Sequence, residues 1–237
     1  MQRYFAKEKQ NNTFILTDSD LRHIRLVMRM KDKDEIEVVY DNKVYLCCIE
    51  NVKFDVKILI KKCFKNSCPN ILNITLVIPI LKEQKMDYIF QKATELGVSK
   101  IIPVITERTI VKLDETKGNK KLERWNKICK EASEQSKRSN IPIIESPTTF
   151  KSLECIDGEK LVCSTIIQDY TLKKMFQTNQ FYDKIVIVIG PEGGLSLKEE
   201  NYLNSIGFKS VSLGKRIMRV ETVPLFLLSV LNYINME

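Results

Sequence analysis

The sequence predicts an α/β protein in two parts, a small β-barrel carrying one helix and then a mostly parallel sheet with helices on both faces. Three observations carry this reading. Short runs rich in β-branched and aromatic residues crowd the first third. A polar, basic, proline-containing stretch closes that third. Apolar runs then alternate with amphipathic helical patterns to the end of the chain.

The runs at 13–16, 35–40, 43–49 and 56–60 read as strands, with Asp41-Asn42 as a hairpin turn between the second and third. A helix interrupts them after Thr17-Asp18-Ser19-Asp20, which offers good N-cap residues. Residues 61–70 read as a linker, which divides the chain into domains 1–70 and 71–237. Residues 71–80 are apolar in the manner of a buried strand. A helix from about Gln84 closes at Gly97, and a strand follows at 101–105. Between 120 and 138, Leu122, Trp125, Cys129, Ala132 and Ser136 recur at three- and four-residue spacing, an amphipathic helix. Strands are expected at 160–164, 185–189 and 210–213. The last helix starts near Glu221 with Pro224 in its first turn, where proline is tolerated.

Composition narrows the class. The 237 residues are 43% hydrophobic and 29% charged, ordinary for a globular protein. No apolar stretch reaches membrane-spanning length, and no signal-peptide core follows the N-terminus, so no membrane association and a cytoplasmic location are expected. The seven cysteines form no CxxC pair, which argues against a zinc site or a disulfide framework; no metal is expected. The net charge is +8. Residues 1–70 hold 14 Lys and Arg against 10 Asp and Glu, and are the more basic part per residue. A basic surface suits a polyanion but does not by itself establish one.

Two loops at expected strand ends carry the chemistry. Gly190-Pro191-Glu192-Gly193-Gly194 follows the apolar run 184–189 and precedes a helix expected around Ser196. Its glycines let backbone approach a ligand and offer bare N–H groups. It is neither a P-loop nor a GxGxxG turn. The second loop runs from Leu213 to Thr222. Gly214 frees the turn, and Arg219 and Glu221 stand where they would bind substrate, move a proton, or simply pair with each other.

Together these loops resemble those of the ribosomal small subunit methyltransferase E family, which carries GPEGG and LG-x-RIL-R-x-ET-A patterns. The resemblance continues in Leu81-Lys82-Glu83-Gln84-Lys85-Met86-Asp87 and in the helix 91–98, QKATELGV. It extends to Glu107-Arg108-Thr109, to Glu123-Arg124-Trp125 with 131–136 and Arg138, and to the segment 23–29. The motifs run in order through nearly the whole chain. The resemblance implies a PUA-like β-barrel before a SPOUT domain with a C-terminal trefoil knot, a fold feature the general rules make very rare. It also implies a homodimer that uses S-adenosyl-L-methionine (SAM) to methylate N3 of a uracil in 16S rRNA, as free RNA or in the assembled small subunit.

Carried onto this chain, the resemblance puts the cofactor against Leu161, Val162, Cys163 and Ser164, against Ile189, Gly190, Pro191, Glu192, Gly193 and Gly194, and against Leu213, Gly214, Ile217, Met218 and Arg219. Gly190, Gly193 and Gly194 would admit its ribose and methionine parts, so Gly193→Val is expected to fill the pocket. N3 of uracil lies on the pairing edge and carries a proton, so the base must be unpaired and the proton must leave. Arg219 and Arg108 are candidates to stabilise the charge that develops on the uracil oxygens. Glu221 is a candidate general base or an orienter of Arg219. His23, the only histidine, falls in the barrel, where a structural or RNA-contact role is expected.

Arg22, Arg25 and Arg29 recur as if on one helix face and form the first candidate RNA surface, with a solvated face as the alternative. Lys82, Arg124 and Arg138 are further candidates. Val220, Met218 and Val223-Pro224 depart from the family pattern around the pocket. Two rivals stay open at this level: a ribose 2′-O-methyltransferase of the same fold, and a non-catalytic RNA-binding protein of ribosome assembly.

Overall fold

Two compact units make up the chain, Met1–Pro69 with Lys130–Ile141, and Asn70–Cys129 with Pro142–Glu237. The computed structural model describes residues 1–53, 55–64, 72–109, 115–167, 169–177 and 183–235, with backbone alone for 115–117.

In the first unit, strands β1 (Arg3–Phe5), β2 (Glu8–Gln10), β3 (Thr13–Ile15), β4 (Glu35–Tyr40), β5 (Lys43–Glu50) and β6 (Lys57–Phe64) form one sheet in the order β1-β4-β5-β6-β3-β2. Only β1 and β4 pair in parallel. The two edge strands, β1 and β2, are consecutive in the chain, so the sheet must curl until its edges meet. Ala6 and Lys7 make that closure, their N–H groups donating to Val39 O and Ile15 O at 2.9 Å. Ile36 and Val38, Cys47 and Ile49 turn alternate side chains into the core with Tyr4, Phe14, Ile24 and Ile58. Burial in that core pushes the Cys47 thiol up to about 12.

Four of these strands were legible as β-branched runs. β1 and β2 were not: both are three residues long, and β2 is exposed throughout, with no apolar alternation to betray it. Of the expected linker, residues 61–64 are the end of β6, and residues 65–70 lie outside the described residues, as does Ile71.

Helix α1 (Asp18–Arg22) starts on a full capping box. Thr17 Oγ1 accepts from Asp20 N, and Asp20 Oδ2 accepts from Thr17 N. A π-helical turn, His23–Val27, follows at once, with Met28 N donating to His23 O. This corrects the expected arginine stripe. The wider turn takes Arg25 off the α-helical register, and its Nε donates to Val52 O at 2.7 Å. Arg29 lies beyond the helix with a left-handed φ of 50°. Arg22 is exposed in the last turn of α1, so the three share no helix face. His23 Nδ1 is hydrogen-bonded to Tyr4 Oη at 2.9 Å.

The segment Lys130–Ile141 completes this unit. Lys130 Nζ reaches Asp20 Oδ1 at 2.5 Å and Glu134 Oε1 at 2.7 Å. Phe5 N donates to Glu134 Oε1, and Arg3 Nη1 donates to the carbonyls of Lys137 and Arg138. Arg138 is a second correction. It is only 8% exposed, and its guanidinium donates to Asn140 O and Oδ1 at 3.2 Å, which takes it from the candidate RNA surface.

In the second unit, β7 (Asn73–Pro79), β8 (Lys100–Val104), β9 (Ile143–Ile144), β10 (Glu159–Cys163), β11 (Lys184–Val188) and β12 (Lys209–Val211) form a sheet ordered β12-β10-β11-β7-β8-β9. All its described pairings are parallel. Val77, Ile102, Val162, Val186 and Val188 pack with Leu203 and Phe208 on one face. The alternate residues Leu76, Ile78, Ile101, Leu161, Ile185 and Ile187 are buried as well, so both faces are covered.

Helix α2 (Glu83–Glu95) buries Met86, Ile89, Phe90 and Ala93. Helix α3 (Glu115–Gln135) stacks Trp125 on Phe90 with ring centroids 4.9 Å apart. α4 (Leu172–Gln177) and α5 (Leu197–Ser205) follow, and α6 (Thr222–Ile234) packs on α2. No described helix is long and apolar enough to cross a membrane.

Candidate active site

β12, β10 and β11 are neighbours in a parallel sheet, so their carboxyl ends open at one edge. Open α/β sheets bind ligands at such an edge. Each strand there runs into a loop that its own chemistry holds in shape.

After β10, Ser164 Oγ accepts from the N–H groups of Ile166 and Ile167 at 3.1 and 3.2 Å and turns the chain. After β11, Ile189 N donates to Val77 O, and Gly194 N closes a turn onto Pro191 O at 2.8 Å. The loop then enters α5 through a second capping box, Ser196 with Glu199. After β12, Ser212 Oγ accepts from Gly214 N, and Gly214 takes a φ of 112° that a side chain would strain.

These loops surround a cavity of about 370 Å³, within the range of small-molecule sites. Its wall is residues 163–165 and 167, 189–192, 194 and 195, Glu200, 212–220 and Val223. Of the residues expected at the cofactor, Cys163, Ser164, Ile189, Gly190, Pro191, Glu192, Gly194, Leu213, Gly214, Ile217, Met218 and Arg219 line it.

Three expected residues do not. Leu161 and Val162 have no exposed surface and belong to the sheet core. Gly193 is absent from the wall, and a Cβ there would sit 3.3 Å from Arg108 Cδ. Gly193 therefore makes room for an arginine. Gly190 does serve its loop, since a Cβ would press on Leu195 N at 3.1 Å. Val220 and Val223 put methyl groups into the wall where the family pattern departs.

The charged groups fall in two places. Arg108 is exposed and donates through Nη1 to the carbonyls of Gly193 and Gly194, which ties it to the glycine loop. Its own loop is anchored by Glu199 Oε1, which accepts from Glu107 N at 2.8 Å. Glu221 does not pair with Arg219 among the described residues. Its Oε2 lies 3.3 Å from Lys85 Nζ, otherwise buried and without hydrogen-bonding geometry to any described group.

Lys85 also binds Glu192 Oε1 at 2.7 Å. That hydrogen bond holds the Glu192 carboxyl below its usual range and raises the Lys85 ammonium. Lys82, exposed at the start of α2, adds its charge to the effect on Glu192. Arg124 pairs with Glu83 and, through Nη2, with Asp87 Oδ2 at 2.5 Å. Desolvation raises the Asp87 carboxyl. It also pushes the Cys163 thiol up to about 12, although part of its surface faces the cavity. Lys85, Glu199 and Glu200 were not named as site residues from the sequence. Lys85 had a signal in the segment 81–87; the two glutamates had none.

The sequence profile of the RNA methyltransferase domain family matches residues 68–232, and that of the RNA methyltransferase PUA domain matches residues 16–59. A ribosomal RNA small subunit methyltransferase E of Mesomycoplasma hyopneumoniae is 36% identical over 97% of this chain and 98% of its own. The chain belongs to the ribosomal RNA small subunit methyltransferase E family. A Bacillus subtilis member is 33% identical over 98% of this chain and 96% of its own. The solved structure of a member from Neisseria gonorrhoeae, bound to S-adenosyl methionine, superposes with a TM-score of 0.88 at 31% identity. That likeness covers 99% of this chain and 98% of the other. The barrel unit is accordingly a PUA-like domain, and the parallel-sheet unit is a SPOUT-type methyltransferase domain.

Proposed function

We propose that the protein transfers a methyl group from SAM to N3 of a uridine in 16S rRNA. The observation that carries the reading is the cavity at the ends of β10, β11 and β12, whose wall is made of the loops that bear the family's motifs. The fit is chemical as well as spatial. Ile189, Leu213, Ile217 and Met218 offer apolar surface to a planar base, while residues 190–194 and 213–214 offer backbone donors and acceptors. Bound there, SAM supplies a methyl group activated by its sulfonium.

The chain's own residues do the rest. Arg219, exposed in the wall, meets the uracil and offsets the charge that grows on its oxygens as N3 loses its proton. Arg108, fixed to the glycine loop, keeps that loop shut and presents a second cation to the same charge. Glu221 takes the N3 proton or holds the base, with Lys85 beside it to keep the carboxylate in place. The target base must be flipped or unpaired to reach this edge. Residues 1–70 act as the RNA-holding domain and 71–237 as the catalytic one. Arg22, Arg29, Lys82 and Arg124 remain as phosphate contacts. The enzyme works in the cytoplasm as a homodimer, with the C-terminal segment knotted around the cofactor.

Titration calorimetry with SAM alone tests the pocket. The reading predicts saturable heat with one SAM per chain. No saturable heat would show that the cavity has another ligand.

A further inference from the structure

One carboxylate in the cavity wall has no role in the reading above. Glu200 sits in the first turn of α5, where the helix N-terminus favours an ionised side chain. The residue is 7% exposed, yet it lines the cavity. Its Oε1 accepts a hydrogen bond from Ser210 Oγ at 2.7 Å, which fixes the carboxylate against the last strand. Among the described residues no cation comes within ion-pair distance of it, and its Oε2 has no hydrogen-bond partner. Lys215, Arg216 and Arg219 share the cavity wall but stand exposed. Glu200 Oε2 is not among the sealed, unpartnered side-chain atoms, so this oxygen stays accessible while its carboxylate is held in place. It is free to accept from a cationic group of a ligand in the cavity.

We propose that Glu200 binds a cationic group of the cofactor and so gives the pocket its preference for SAM over neutral adenosine derivatives. The inference rests on the reading that the cavity takes SAM. SAM carries two cationic groups, the sulfonium and the α-ammonium, and both suit a carboxylate acceptor. Neither the uracil nor the ribose offers a charge, and a neutral hydroxyl is a weaker partner for a carboxylate than a cation is.

The test is calorimetry of SAM, S-adenosylhomocysteine and 5′-methylthioadenosine with the wild-type protein, Glu200→Gln and Ser210→Ala. Glu200→Gln keeps the shape and the bond to Ser210 but removes the charge. It is expected to weaken SAM roughly ten- to a hundredfold and to leave 5′-methylthioadenosine, which lacks both cationic groups, within about twofold of wild type. A parallel loss for S-adenosylhomocysteine assigns Glu200 to the ammonium; no loss for it assigns Glu200 to the sulfonium. Ser210→Ala keeps the charge and is expected to keep the preference for SAM. Equal weakening of all three ligands, no weakening of any, or the same loss of preference in Ser210→Ala would overturn the proposal. Failure of the wild-type protein to bind SAM would instead overturn the reading of the cavity.

Discussion

Gly193 and Arg108 are 85 residues apart in sequence and meet at the glycine loop. A valine at 193 would drive its side chain into Arg108, whose Cδ already stands 3.3 Å from where a Cβ would be. The guanidinium would then leave the two carbonyls it holds, while the cavity wall itself stayed free of new atoms. Gly193→Val is therefore expected to cut methyl transfer on the order of ten- to a hundredfold, as misplaced site groups do. SAM affinity by calorimetry is expected to change less than about threefold, small on the scale of tenfold per 1.4 kcal/mol. Loss of SAM binding would mean that Gly193 abuts the cofactor after all. The glycines were legible as a loop at a strand end, but their separate duties were not. Gly190 relieves a contact with Leu195, Gly193 one with Arg108, and Gly194 adopts a φ of 72°. Local sequence carries no record of such partners, and the same holds for Lys85, which is 107 residues from Glu192.

Secondary-structure elements were legible where burial imposes a period. Helix α5 begins where its Ser196 cap predicts, and α6 where Pro224 predicts. The strands that escaped reading are short edge strands, β1 and β2 of the first sheet and the two-residue β9 of the second. β1 nevertheless carries a charge clamp with a measurable consequence. Burial disfavours the Glu37 carboxylate, but hydrogen bonds from Lys137 and Arg3 outweigh it and hold its pKa below the usual range. A folded-state pKa below the unfolded one stabilises the fold above the unfolded pKa, and this stability is lost as pH falls through the folded value. Thermal unfolding should thus show the wild type ahead of Glu37→Gln at neutral pH. The gap should close as pH drops below about 4.3, the ordinary glutamate value. A gap that stays constant into acid would mean that the ion pairs contribute nothing.

At the scale of the whole molecule, the alternation of strands and helices was enough to read a parallel sheet. The strand order that juxtaposes β10, β11 and β12 was not, because side-chain periodicity says which face a strand buries and not which strand lies beside it. The grouping of Lys130–Ile141 with the barrel was hidden for a related reason. α3 has one continuous helical period, and the ion cluster of Lys130 with Asp20 and Glu134 depends on a residue 110 positions away. What this architecture brings together is a cavity, the exposed cations Lys215, Arg216 and Arg219 in its wall, and the wall carboxylate of Glu192 held by Lys85.

The central claim is the identity of the atom methylated. The direct measurement is incubation with methyl-labelled SAM and small ribosomal subunits lacking the modification, followed by nucleoside mass analysis of the 16S rRNA. The account predicts one labelled 3-methyluridine and its loss in Arg219→Ala. Label in a 2′-O-methylated nucleoside, or no label with SAM bound, would contradict it.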